Sequence, residues 1–300
     1  MNKPLRTLGK KENFLGLEDR FSSYSSSKVV VLPVPYEHTV SYGGGTGRGP
    51  RAILDASRYV EFYDEELETE LCTRVGIATL PPLALGQSTD ARAMGKIRTA
   101  AEKLLDDGKF VAVLGGEHTI SQATIRAHLD RYPDLSILHF DAHADLRQAY
   151  EGNRYSHACV MARVCEYMEP ARIVQVGIRA LSPEEAQFIR TSGITTLYAH
   201  QIRSNEEWMA AILPKLSPNV YVTFDVDAFD PPLMPSTGTP EPNGLQWPET
   251  MRLLRQVGEQ RRIVGFDVVE FAPHRGMSHP DYTAAKLTYK LMNYACRSSE

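Results

Sequence analysis

The stretch Leu135-Ser136-Ile137-Leu138-His139-Phe140-Asp141-Ala142-His143-Ala144-Asp145 reads as a buried strand running straight into two aspartates and a histidine at alternating positions. Its first six residues are nearly continuously apolar, as expected of a parallel strand covered by helices on both faces. Runs of the same character occupy residues 28–32, 110–114, 172–178, 219–224 and 262–268. Helical patterns lie between them. Ser182-Pro183-Glu184-Glu185 combines a cap, a proline at the first helical position and a glutamate at the capping-box spacing. Ser204-Asn205-Glu206-Glu207 has similar spacing ahead of Trp208, Ile212 and Leu213. Strands alternating with helices predict an α/β fold, a three-layer α/β/α sandwich on a mainly parallel, doubly wound sheet.

The chain has 300 residues, 42% apolar and 23% charged, enough for a sizeable core. No composition break or repeat follows residue 28, so 28–300 is expected to form one catalytic domain. Residues 1–27 are polar, with serines clustered at 22–27, and read as an arm folded over the body or a neighbouring subunit. The formal net charge of −4 argues against nucleic acid or an anionic membrane as partner. Cys72, Cys159, Cys165 and Cys296 form no CxxC pair, which suits free thiols in a reducing compartment. The N-terminus lacks the apolar core of a secretory signal, and no stretch is long enough to span a membrane. A cytoplasmic location is expected.

In open parallel sheets ligands bind beyond the carboxyl ends of the strands. His118, Asp141, Asp225 and Glu270 each fall just after one of the apolar runs, so four polar groups should meet at one end of the sheet. Alternating positions at a strand tip can aim Asp141 with His143, and Asp225 with Asp227, at one point. Asp145 can join them if its loop stays extended. Four carboxylates and two imidazoles exceed what one divalent ion needs. Buried unpaired, each charge would cost several kcal/mol. Carboxylate with some imidazole suits Mn²⁺ ahead of Zn²⁺.

The segments Leu114-Gly115-Gly116-Glu117-His118-Thr119-Ile120-Ser121, Phe140-Asp141-Ala142-His143-Ala144-Asp145 and Thr223-Phe224-Asp225-Val226-Asp227-Ala228-Phe229-Asp230-Pro231 resemble, in order, the three signatures of the ureohydrolase (arginase/agmatinase) family. The glycine-rich segment Gly45-Thr46-Gly47-Arg48-Gly49-Pro50 looks like that family's N-terminal loop; no Gly-Lys-Ser/Thr makes it a phosphate loop. The resemblance implies an arginase-like fold and two Mn²⁺ per subunit. One ion would be held by His118, Asp141, Asp145 and Asp225, the other by Asp141, His143, Asp225 and Asp227. It further implies a hydroxide nucleophile between the ions, His157 as proton shuttle, Glu270 as the guanidinium anchor, and a homo-oligomer, trimer or hexamer. Physically, a delocalised guanidinium carbon is a poor electrophile, and acidifying a water toward pKa ~7 supplies hydroxide at neutral pH. Asp145 is suited to orienting that hydroxide, and His157 to protonating the leaving amine.

For the substrate, the loop Tyr150-Glu151-Gly152-Asn153-Arg154-Tyr155-Ser156-His157 looks more like agmatinases and aminopropylagmatine ureohydrolases. Leu181 offers no acid for an α-amino group, against arginine. Glu37 or Glu151, with Asn153, would suit an amine-ended guanidine; Arg147 and Arg154 could instead hold a carboxylate, as 4-guanidinobutyrate needs. The expected order is agmatine or N1-aminopropylagmatine, which would place the enzyme in polyamine biosynthesis, then guanidinobutyrate, then arginine. A single-zinc deacetylase-like hydrolase and a metal-bound scaffold without turnover are the alternatives; the paired ligand sets oppose the first, and His157 with Glu270 the second. His139 reads as a satisfied buried histidine, His128, His200, His274 and His279 as surface or capping groups, and His38 as a candidate for the pocket mouth.

Overall fold

The six apolar runs are six of the eight strands of one sheet. In the computed structural model, which describes residues 5–204 and 207–297, the strands are β1 Val29–Val34, β2 Ile77–Thr79, β3 Phe110–Gly115, β4 Ser136–Phe140, β5 Ile173–Ile178, β6 Thr195–Tyr198, β7 Asn219–Asp225 and β8 Arg262–Val269. Their order is β2-β1-β3-β8-β7-β4-β5-β6, and every pairing is parallel. Alternate residues feed opposite faces. Val29, Val31, Leu138 and Phe140 join one core with helices Gly49–Ser57, Trp247–Gln260 and His279–Ala295. Val30, Leu32, Val111 and Val113 pack on the other side against helix Asp90–Asp106. Two covered faces explain why the strands read as unbroken apolar runs.

The strands absent from the sequence reading, β2 and β6, are the two edges. β2 is three residues long, and β6 (Thr195-Thr196-Leu197-Tyr198) is half-buried throughout. The N-terminal residues lie against the β2 side: Leu8 N donates to Thr79 O (2.8 Å), Phe14 N to Thr79 Oγ1 (2.9 Å) and Leu15 N to Ser57 Oγ (2.9 Å). Phe14, Leu15 and Leu17 are buried in the core.

The capping box at Ser182 forms: Ser182 N donates to Glu185 Oε2 (2.7 Å) and Glu185 N to Ser182 Oγ (3.3 Å), opening helix Pro183–Ser192. Glu185 Oε1 also accepts Leu146 N at 2.9 Å, so this cap fixes the loop that follows Asp145. The box expected at Ser204–Glu207 includes residues outside the described ones; helix Trp208–Ile212 follows it.

Candidate metal centre and substrate cavity

β3, β8, β7 and β4 are consecutive in the sheet, with Leu114 level with Val268, and Phe224 level with both Val268 and Phe140. Their carboxyl ends therefore deliver His118, Glu270, Asp225 with Asp227, and Asp141 with His143 to one place. Main-chain donors orient the carboxylates. His143 N donates to Asp141 Oδ1 (2.6 Å), Asp227 N to Asp225 Oδ1 (2.8 Å) and Ala142 N to Asp227 Oδ1 (2.9 Å). Asp145 arrives differently from expectation. Its φ of 54° turns the loop left-handed instead of extending it, and Glu270 (φ 61°) shares that conformation. Side chains rarely adopt it unless their surroundings impose it, and such strain gathers at functional sites.

His118 Nδ1 is buried and has no hydrogen-bond partner. It faces Asp141 Oδ2 and Asp145 Oδ2 at 3.1 Å each and Asp225 Oδ2 at 3.5 Å. Its other nitrogen, Nε2, lies 2.9 Å from Thr223 Oγ1, whose hydroxyl donates to Asp267 Oδ1 at 2.6 Å. Thr223 must then accept from Nε2–H, which leaves a lone pair on Nδ1 pointing at three carboxylate oxygens. A cation among them is what this donor set fits. A second group overlaps it: His143 Nδ1 stands 3.0 Å from Asp227 Oδ2 and 3.5 Å from Asp141 Oδ1. The two groups share Asp141, as a pair of ions with a bridging carboxylate requires.

The electrostatics argue the same way. Burial, with the charges of Asp227 and Asp141, pushes Asp225 well above the ordinary carboxylate range. Burial and Glu117 do so for Glu270. Burial opposes imidazolium at His118, but the carboxylates of Asp141, Asp145 and Asp225 crowded against Nδ1 outweigh it, so that without a cation the ring is raised well above the ordinary histidine value. Apart from Arg179, whose charge reaches Asp227 and Asp141, the counter-charge in the cluster is protons, and divalent cations would replace those protons.

His139 lies within ligand distance of the first group. Gln175 decides its role. Gln175 Oε1 accepts from Thr196 Oγ1 (2.9 Å), and Nε2 donates to Ala144 O (2.8 Å) and to His139 Nδ1 (3.1 Å). His139 must then donate Nε2–H to Asp141 Oδ2 (2.8 Å), orienting that carboxylate without competing for an ion.

His157 is held by residues that the sequence did not single out. Thr39 Oγ1 donates to Glu117 Oε1 (3.0 Å), and Glu117 Oε2 accepts the main-chain N–H groups of His38 (2.8 Å) and Thr39 (2.7 Å). Thr39 Oγ1 in turn accepts His157 N (3.0 Å) and lies 3.3 Å from His157 Nδ1, which leaves Nε2 as the free basic nitrogen. Glu270 Oε1 accepts His118 N at 2.6 Å, tying its carboxylate to the β3 tip.

A cavity of about 20 Å³, with room for a water-sized group, is lined by His118, Asp145, His157, Asp225, Asp227 and Glu270. A larger one, about 230 Å³, is lined by His143, Asp145 and His157 together with Arg147, Tyr150, Glu185 and Glu241. Several expected substrate contacts lie elsewhere. Glu151 is exposed on a tight turn and lines neither cavity. Asn153 is spent on structure, donating to Asp90 Oδ1 (2.9 Å) and accepting from Tyr155 N (2.8 Å). Glu37 clamps the glycine loop by accepting Gly45 N (2.7 Å) and Gly47 N (2.8 Å). Exposed Arg154 pairs with Glu166. The exposed His38 contributes its main-chain N–H, and its ring lines neither cavity. His128, expected at the surface, is fully buried against Tyr221, because its Nδ1–H is satisfied by Thr124 O at 2.7 Å.

The Arginase family matches residues 27–293. The chain belongs to the arginase family. This arginase-family protein is 39% identical to the N(1)-aminopropylagmatine ureohydrolase of Synechocystis sp., over 98% of its length and 97% of the relative's. It is 36% identical to an agmatinase of Bacillus anthracis, over 84% and 86% of the two chains. Among solved structures, the agmatine ureohydrolase of Thermoplasma volcanium superposes with a TM-score of 0.82 at 28% identity, covering 98% and 95% of the two chains. The three-layer sandwich expected from the strand pattern, and the arginase-like fold implied by the resemblance, are thus the fold. No helix among the described residues is long and apolar enough to cross a membrane.

Proposed function

We propose that this protein is a binuclear manganese amidinohydrolase that cleaves agmatine, or the related N1-aminopropylagmatine, into urea and an amine in polyamine biosynthesis. The observation that carries the reading is the lone pair of His118 Nδ1 set against three carboxylates, beside a second group that shares Asp141. His118, Asp141, Asp145 and Asp225 would hold one ion, and Asp141, His143, Asp225 and Asp227 the other. When bound, two such cations acidify water enough to make hydroxide available at neutral pH. The family, and relatives named for these two substrates, support the reaction class.

The chain's own residues would do the rest. Glu270, buried and with one oxygen already held by His118 N, grips the guanidinium through its remaining carboxylate oxygen. Asp145 accepts a hydrogen bond from the attacking water and orients it. His157, fixed through Thr39 and Glu117, delivers a proton from Nε2 to the departing amine. Amine-ended substrates are favoured over guanidino acids by the fate of the two arginines: Arg154 pairs with Glu166, and Arg147 Nε stands 3.7 Å from buried Glu185. We place the protein in the cytoplasm, which suits its four free cysteines, and expect a trimer or hexamer.

The test is urea release by Mn²⁺-loaded protein on agmatine, N1-aminopropylagmatine, 4-guanidinobutyrate and arginine, with a chelated control. Metal-dependent turnover of an amine-ended guanidine is expected, with a loss of at least ~10²-fold in His118→Ala. Full turnover by the chelated protein would refute the metal reading.

A further inference from the structure

The larger cavity carries charges that hydrolysis itself does not need. Beyond the residues proposed for the ions and His157, its charged lining groups are Arg147, Glu185 and Glu241. Glu185 is buried; its oxygens accept Leu146 N and Ser182 N, with Arg147 alongside. The Arg147 guanidinium also lies over the Tyr150 ring, 5.3 Å from its centroid. Arg147 and Glu185 therefore compensate each other, and Glu241 is left over. Among the described residues, no donor or cationic nitrogen comes within bonding distance of the Glu241 carboxylate.

Its main chain, in contrast, is tightly fixed. Arg179 donates to Glu241 O (2.8 Å) and Pro242 O (3.0 Å), and the same guanidinium donates to Asp227 O (2.7 Å), Phe229 O (3.2 Å) and Ala228 O (3.3 Å). One arginine thus fastens the backbone of Glu241 to the loop that carries Asp227. Arg179's charge is shared among Asp227, Asp141, Glu241 and Asp230, so it does not neutralise Glu241 alone. The other acids considered for this role are committed or misplaced, Glu37 to the glycine loop and Glu151 outside the cavity.

We infer that Glu241 receives the ammonium at the far end of the substrate, an assignment that rests on the proposed hydrolysis of an amine-ended guanidine. A half-buried carboxylate with a pinned backbone and no protein donor is matched by an alkylammonium. It repels a carboxylate at the same position and gains nothing from an uncharged end, which is how a site selects by difference.

The experiment compares wild type with Glu241→Gln, both Mn²⁺-loaded, on agmatine, 4-guanidinobutyrate and butylguanidine, which lacks the terminal amine. A charge-assisted hydrogen bond of the usual strength predicts that KM for agmatine rises at least about tenfold while kcat stays within about twofold. Butylguanidine should change by less than about threefold in kcat/KM, and the preference for agmatine over 4-guanidinobutyrate should shrink by at least about tenfold. An unchanged agmatine KM, or equal losses on agmatine and butylguanidine, overturns the assignment. Wild type that hydrolyses only guanidino acids overturns the underlying reading instead, whatever the variant does.

Discussion

Two buried histidines show how much a single hydrogen bond decides. His139 has partners on both nitrogens and serves Asp141. His128 donates Nδ1–H to Thr124 O, while its Nε2 is buried without a partner. Burial pushes His128 down to about 4 from 6.5, against the weaker pull of the Thr124 bond. The unfolded chain takes up this proton near pH 6.5 and the folded one not until about 4. Neutral burial therefore stabilises fully above pH 6.5, and that contribution is lost as pH falls toward 4, by about 3 kcal/mol in all. His128→Leu should flatten the fall in stability between pH 6.5 and 4. Urea melts of chelated wild type and variant across that range measure it, and parallel losses in the two proteins would show that His128 is not buried neutral. At this scale the sequence was most legible where chemistry is contiguous. Asp141, His143, Asp225 and Asp227 could be picked out because alternating positions at a strand end have few other uses. Glu117, Thr39 and Glu241 could not, because each takes its place from a residue distant in the chain. Glu151 and Asn153 show the reverse error, since nearness to His157 in sequence does not make a side chain face the cavity.

Among the elements, β1, β3, β4, β5, β7 and β8 were readable to within a residue or two because both their faces are covered, which forces an unbroken apolar composition. β2 and β6 escaped because an edge strand needs neither length nor full burial. The loops that close the site left no periodic trace, and their order comes from hubs such as Arg179. Its guanidinium serves six main-chain carbonyls, those of Gly177, Asp227, Ala228, Phe229, Glu241 and Pro242. Arg179→Lys keeps the charge and loses the planar fork, leaving several partly buried acceptors unserved. Stability should fall by about 2 kcal/mol or more, and KM for the guanidine substrate should rise with it. Thermal melts with steady-state kinetics test this; a variant with wild-type Tm and KM would mean that the loop holds itself.

For the whole molecule, the proposed metal centre would couple metal content to folding. Asp141, Asp225 and Asp227, at the carboxyl ends of the central strands, repel one another unless cations or protons intervene. Ions bound at a thousand times their Kd contribute about 4 kcal/mol. Chelation should therefore lower Tm by on the order of 10 °C in a protein of this size, with recovery on adding Mn²⁺. Calorimetry of the same sample before and after chelation decides it, and an unmoved Tm would mean that folding owes the site nothing. The N-terminal residues act at this scale as well. Leu8 N occupies the outward-facing carbonyl of Thr79, and Phe14, Leu15 and Leu17 fill the hollow beside it. Removing them would strip a flank that can template another chain. Deleting the segment is therefore expected to make the protein aggregate, as light scattering would show, before its chemistry changes.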